Sequence, residues 1–218
     1  MTSEEFVSAL DVSVRAALAR IGEASASGEP GPGVGIADLL VLALRNEIEA
    51  SEEAALWLVA ESDVEVKLAL ARQCGDEAKH YRLIAERLRA LGRDPSTIDP
   101  LAGGPSPMFE YLRGLGTTVE RIAAGPFTRE ALASVRNEVF IEYCEAKGDA
   151  ETARLYRDTI QPDETHHHAL GRGLLLRLAD TPEKQDLAGR ASARTLEVAA
   201  ELQEIARLRR GICRAPGC

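Results

Sequence analysis

Aromatic residues are scarce in this chain of 218 residues: one Trp, four Tyr and four Phe make 4 % of it. Ala, Leu, Glu and Arg abound instead, a mix that favours helix. Cysteine is sparse as well. Cys74 and Cys144 fall within apolar helical patterns and read as small core residues. Cys213 and Cys218 stand near the end without the Cys-x-x-Cys spacing of a zinc or rubredoxin-type site, so a disulfide or free thiol there is incidental to the chemistry. No apolar run approaches the length that a bilayer span needs, which excludes a membrane-spanning helix. The start, Met1-Thr2-Ser3-Glu4-Glu5, lacks the basic-then-apolar plan of a secretory leader, so the expected compartment is the cytoplasm. An excess of basic charge is also missing. The net charge is −9, and a global basic footprint for nucleic acid is excluded. Arg207, Arg209, Arg210 and Arg214 form a local basic cluster that reads as a solvated helix face and tail. No flavin, nicotinamide or iron–sulfur motif is visible, so redox chemistry would need an external electron donor.

Histidine is as rare as cysteine, and its placement is informative. There are four histidines: His80 alone, and His166, His167 and His168 together. Asp76-Glu77-Ala78-Lys79-His80 and Asp163-Glu164-Thr165-His166-His167 share the pattern Asp-Glu-x-x-His. Residues three apart lie on one face of a helix, so Glu77 with His80, and Glu164 with His167, can hold one ion from one side. Each motif is preceded by an Arg-Asn-Glu, at Arg45-Asn46-Glu47 and Arg136-Asn137-Glu138. A single Glu-x-x-His arises easily by chance in a Glu-rich helix; the doubled pattern is harder to produce that way. His166 and His168 point roughly 100° to either side of His167 and read as packed or solvated.

Residues 3–22 carry Phe6, Val7, Leu10, Val14, Ala17, Leu18 and Ile21 at helical spacing, which gives an N-terminal accessory helix over 1–22. Residues 23–35, rich in Gly, Pro and Ser, read as a linker. A first bundle helix is expected over about 36–60, with Leu39, Leu40, Leu44, Ile48, Leu56 and Val59 in its core stripe. Glu47 interrupts that stripe, whereas Glu49, Glu52 and Glu53 read as a solvated face. Glu61-Ser62-Asp63 is a break with an N-cap, and the second helix runs over about 64–91. Glu47 lies fifteen residues before Ser62 and Glu77 fifteen after it, so the two are level in an antiparallel hairpin. Residues 92–107 form a Pro/Gly-rich loop. A short helix over about 108–124, closed by Gly125-Pro126, completes a long crossover. The third and fourth helices are expected over about 128–147 and 150–179, joined at Gly148-Asp149. Pro162 kinks the fourth helix or adds a bulge. The bundle thus spans 36–180, and a C-terminal helix and tail follow over 181–218. That last helix covers the bundle or forms an interface between copies, making a homo-oligomer.

The order Glu, Glu-x-x-His, Glu, Glu-x-x-His is that of di-iron and di-manganese carboxylate sites in four-helix bundles. It predicts two Fe or Mn ions per chain, since carboxylates and imidazoles suit such hard or borderline cations. Glu77 and Glu164 are the natural bridges, Glu47 and Glu138 the terminal carboxylates. Asp76 and Asp163 would accept the other ring N–H of the opposite helix's histidine. The ligand of the third helix stays open. Glu138 comes first through the Arg-Asn-Glu echo, Glu142 second, and Glu130 third although its level along the helix fits better.

On these motifs the chain resembles the ferritin-like di-iron carboxylate superfamily. The resemblance implies an all-α fold: an up-down four-helix bundle with a long crossover, plus the two accessory helices. Phe140-Ile141-Glu142-Tyr143-Cys144 and Ala153-Arg154-Leu155-Tyr156 are similar to the non-heme di-iron monooxygenases that hydroxylate an isoprenyl-modified tRNA adenosine. That likeness covers about residues 36–178 and implies Glu142 as ligand. Thr117-Thr118-Val119-Glu120 resembles demethoxyubiquinone hydroxylase and adds Glu120 as a further candidate. The implied function is an O2-activating oxidoreductase that hydroxylates or oxidises a small organic substrate or a modified tRNA base. Alternatives are a peroxide-decomposing enzyme of the rubrerythrin or manganese-catalase type, an iron-binding storage protein, and a helical scaffold. Against these stand the missing rubredoxin module and the two Glu-x-x-His motifs where cage ferritins carry one. Tyr81 and Tyr143 are candidate redox or gating residues, or simply packed helix residues.

Overall fold

Every regular element of the computed structural model, which describes residues 1–217, is helical. Cys218, and any disulfide involving it, lies outside the described residues. No helix among them is long and apolar enough to cross a membrane.

Helix α1, Ser3–Ser27, starts at a capping box in which Thr2 and Glu5 satisfy each other's backbone N–H. Its stripe Val7, Leu10, Val14, Leu18 and Ile21 is buried. The helix runs five residues past the expected stop, because Ala and Ser tolerate helix and the chain breaks only at Gly28. The linker is therefore short, 28–35.

Helices α2, Ile36–Ala60, and α3, Val64–Ala90, form an antiparallel pair closed by Asp63, which caps α3 by accepting from Glu65 N and Val66 N. Leu39, Leu40 and Leu44 are fully buried, in one cluster with Ile84 and Leu88. The lower half of α2 corrects the expected stripe. Leu56 is 49 % and Val59 81 % exposed, whereas Glu49 and Glu53 are buried. Glu49 pairs with Arg45 and accepts Ser106 N; Glu53 pairs with Arg129. These ion pairs, not solvent, take up the charge.

The Asp63 carboxylate also receives both terminal nitrogens of Arg177, at 2.6 and 3.0 Å. Arg177 and the backbone donor Val66 N hold it down at about 2, below the usual carboxylate range. A depressed acid stabilises the fold above its unfolded pKa and loses that contribution as pH falls through the folded one. Urea midpoints of wild type and Arg177→Ala should therefore differ at pH 6 and converge as pH approaches 2.

After a loop with one 3₁₀ turn at Pro95–Thr97 comes the short α4, Pro107–Arg113. Helix α5 then runs unbroken through Thr118–Ile122, the π-helical Ala123–Arg129 and Glu130–Ala146. Helix α6 runs through Ala150–Leu155, the π-helical Tyr156–Ile160 and Gln161–Leu178. Helix α7 spans Pro182–Arg210. Gly125-Pro126 thus ends no helix. Proline lacks an N–H, and the π register around it lets Glu130 N reach back to Gly125 O. In α6 the wide turn sits immediately before Pro162, with Gln161 N bonded to Tyr156 O.

The bulge in α5 is packed tightly from both sides. A Cβ on Gly125 would lie 2.6 Å from the Trp57 ring, and one on Gly171 of α6 would lie 2.6 Å from Phe127 N and from Pro126 C. The second obstacle is backbone and cannot rotate away. Gly171→Ala should cost about 2–3 kcal/mol in urea denaturation; a loss within experimental error would mean that the two helices separate easily.

Two apolar clusters form the core. One holds Trp57, Leu70, Phe127 and Leu174; the other holds Leu44, Ile84, Phe140 and Ile160. Helices α2, α3 and α6 each pass from one cluster to the other. Glu47, Glu77, His80, Glu164 and His167 stand at the crossing points, sealed from water above and below.

Candidate metal centre

Six buried side chains from four helices converge there: Glu47 from α2, Glu77 and His80 from α3, Glu130 from α5, and Glu164 and His167 from α6. Each is at most 3 % exposed. They fall into two quartets, Glu47, Glu77, His80, Glu164 and Glu77, Glu130, Glu164, His167, whose ligand atoms lie within 4.8 Å of one another. Glu77 and Glu164 belong to both.

The two halves mirror each other. His80 Nδ1 lies 3.4 Å from Glu47, 3.3 Å from Glu77 and 3.9 Å from Glu164. His167 Nδ1 lies 3.4 Å from Glu77, 3.6 Å from Glu130 and 3.9 Å from Glu164. The outer nitrogens cross over: His80 Nε2 donates to Asp163 Oδ2 at 3.1 Å and His167 Nε2 to Asp76 Oδ2 at 3.2 Å. A carboxylate can only accept, so Nε2 of each ring carries a proton and Nδ1 faces inward. Arg72 pairs with Asp76 at 2.8 Å and Lys79 with Asp163 at 2.5 Å. They form a charged outer layer on the histidine side.

The electrostatics show what the cluster wants. Burial pushes Glu47 up to about 8. Burial, with the charges of Glu130 and Glu77, pushes Glu164 well above the carboxylate range. Burial acts in the same direction on Glu77, but His167 and His80 outweigh it and hold that carboxyl down. Burial would lower His80, but Glu47 and Glu77 outweigh it and raise it to about 11. Glu130 and Glu164 do the same for His167. The pocket therefore demands positive charge. Its contacts are too long for good hydrogen bonds, and Glu77 Oε1, Glu164 Oε2 and His167 Nδ1 have no hydrogen-bond partner among the described residues. Donors about 2.1 Å from one ion, at octahedral to tetrahedral angles, stand about 3.0–3.4 Å apart. The shortest separations in both halves lie at the upper end of that range. Four carboxylates and two neutral imidazoles balance the charge of two divalent ions, so the two quartets could hold metal in charge as well as spacing.

Of the sequence candidates, the structure brings together Glu47, Glu77, His80, Glu164, His167, Asp76, Asp163 and the third-ranked Glu130. It leaves out Glu138 and Glu142, both exposed, and Glu120, which caps α5 through Thr117. The carboxylate from α5 is Glu130, fixed by Gln73 Nε2 at 2.6 Å. The reason is helical phase. Eight residues along from Glu130, Glu138 is turned about 80° off the site, and Glu142 about 120°. Level along the hairpin was the signal that pointed correctly. The Arg-Asn-Glu echo misled because in α5 its asparagine, not its glutamate, faces inward: Asn137 is fully buried. Sequence reasoning also passed over Tyr156. It is fully buried, its hydroxyl has no hydrogen-bond partner among the described residues, and burial, followed by the charges of Glu47, Cys144 and Glu164, raises its pKa. Tyr81 and Tyr143 make no contact with the cluster among those observed. His168 serves the fold: Nδ1 donates to Phe127 O at 2.6 Å, a carbonyl in the π turn of α5.

On the carboxylate side lies a cavity of about 10 Å³ walled by Asn46, Glu47, Arg129, Glu130 and Gly217 among others, about the space that one water needs. Comparison of the chain with protein-family models, with curated proteins and with solved structures returns no match.

Proposed function

We propose that the chain is a ferritin-like four-helix bundle, built from α2, α3, α5 and α6, that holds two iron ions and uses O2 to hydroxylate or oxidise an organic substrate. The observation that carries this reading is the mirrored pair of ligand quartets sharing Glu77 and Glu164. Each quartet would hold one ion, and Glu77 and Glu164, common to both, would serve the two together.

The group supplies, when bound, two-electron reduction of O2 with insertion of one oxygen atom into a C–H bond. The balance is O2 + RH + 2 e⁻ + 2 H⁺ → ROH + H2O, with the electrons from an external reductant. The chain's own part is orientation and exclusion. Asp163 and Asp76 lock the ring planes of His80 and His167. Gln73 fixes Glu130. The two apolar clusters keep bulk water away, which strengthens every charge interaction inside. The Tyr156 hydroxyl is buried without a hydrogen-bond partner among the described residues, and the charges of Glu47 and Glu164 help to keep it protonated.

The small cavity favours a second reading, decomposition of peroxide with iron or manganese, because it leaves no room for an organic molecule beside the cluster. Rapid mixing of the anaerobic Fe(II)-loaded protein with O2 separates the readings. An oxygenase consumes about one O2 per iron pair and releases no peroxide. Rapid O2 evolution from added H2O2, with no uptake of O2, would replace the first reading by the second. Iron accumulating far beyond two per chain would indicate storage.

A further inference from the structure

The Arg-Asn-Glu echo has a use that ligation does not explain. Both asparagines hold the segment that follows α7. Asn46 Nδ2 donates to Pro216 O at 3.2 Å, Gly217 N donates to Asn137 Oδ1 at 2.9 Å, and Arg136 reaches Gly217 O at 3.5 Å. The segment is drawn in until Gly217 walls the carboxylate cavity: a Cβ there would stand 3.4 Å from Asn46 Nδ2 and 3.9 Å from Glu47 Oε1. Gly217 has φ +71°, which favours glycine at that close approach.

On the outer side of the same segment lies a second cavity, of about 290 Å³. Leu42, Met108, Leu202 and Ile212 give it apolar walls, and Arg209 and Arg210 stand at its edge. Both arginines are exposed and make no ion pair among the described residues. They are a local positive charge on a chain of net charge −9. Asn46 faces both cavities, and Pro216 and Gly217 fill the space between them.

We propose that this outer cavity is the pocket for the organic substrate, and that the substrate is an apolar molecule bearing one anionic group, seated on Arg209 and Arg210 with its apolar end against Pro216. The assignment rests on the metal-centre reading for its chemistry, but not for its binding. Charge complementarity selects the anion, and the apolar walls select the body. The 211–217 segment is the inner wall. A substrate carbon reaches the carboxylate cluster only when Pro216 and Gly217 shift and release Asn46, Arg136 and Asn137. That restriction is useful, since it keeps the reduced centre closed until a substrate is in place.

The test is calorimetric, on the full metal-loaded protein, with octanoate and octan-1-ol as probes of equal length. Octanoate should bind at least tenfold more tightly than octanol. Arg209→Glu combined with Arg210→Glu, both on the surface, should remove that preference. Ile205→Trp, at a half-exposed position lining the cavity, should weaken both probes. Metal content is measured on every sample. Two metals with no octanoate binding, or with binding unchanged in the Arg209→Glu/Arg210→Glu protein, overturns the pocket alone. Octanoate binding with the expected dependence in a protein that holds no metal supports the pocket and overturns the oxygenase reading instead.

Discussion

Glu164→Gln should abolish binding of both metals and at the same time stabilise the metal-free fold. Glu164 belongs to both quartets, so its loss removes a ligand from each ion. In the metal-free protein its carboxyl is a burden: fully enclosed, with Glu130 and Glu77 as neighbours, it is driven well above the carboxylate range. An acid with a raised folded pKa weakens the fold at every pH above its unfolded value, because the unfolded chain releases a proton that the folded chain retains. The amide keeps the volume and removes that cost. The metal-free variant should gain about 1 kcal/mol or more at pH 7 in urea denaturation, and the gain should shrink towards pH 4.5. Metal should reverse the order. At a free concentration a thousand times Kd, one bound ion stabilises wild type by about 4 kcal/mol and the variant by nothing. Glu77→Gln makes the contrast. Its carboxylate is held ionised by His80 and His167, so removing it should destabilise the metal-free protein as well as abolish binding. Destabilisation of the metal-free protein by both substitutions would mean that the carboxylates serve as ordinary ion-pair partners.

Glu130→Ala should lower the affinity for one of the two ions by more than about a hundredfold, while Glu138→Ala and Glu142→Ala leave both in place. A hundredfold is the upper end of what loss of an outer hydrogen-bonding partner costs, and loss of a direct ligand should exceed it. Competition with a chelator of known affinity reads the difference. Asp76→Asn and Asp163→Asn should fall within the 10–100-fold range. An effect at Glu138 equal to that at Glu130 would require α5 to slide by about 12 Å along its axis as well as turn by nearly a quarter of its circumference, which the packing of Gly125 on Trp57 and of Gly171 on Phe127 forbids.

Glu130 also shows how far the sequence can be read. On α2 and α3 the turn is short and both helices are regular, so counting residues from Ser62 placed Glu47 opposite Glu77. On α6 a wide turn, Tyr156–Ile160, lies between Gly148-Asp149 and Glu164 and adds a residue to the count. Glu130, Glu138 and Glu142 all lie in the regular part of α5, where level favoured Glu130, but the local echo around Asn137 outweighed it. Gly125-Pro126 read as a helix end for a related reason: a one-dimensional pattern cannot distinguish a break from a π turn that a neighbouring helix supports. Glu49 and Glu53 read as solvated because two of the groups that meet them, the Ser106 backbone and Arg129, come from distant chain segments. The closure by Gly217 depends on a segment with no helical period at all.

The measurement that bears most directly on the account is elemental analysis of the protein after anaerobic loading with Fe(II) and removal of unbound metal, for wild type and Glu164→Gln. The account predicts about two irons per wild-type chain and none in the variant. Wild-type protein that retains no stoichiometric iron or manganese would contradict it, and would leave six buried acidic and imidazole groups compensating one another in a helical scaffold.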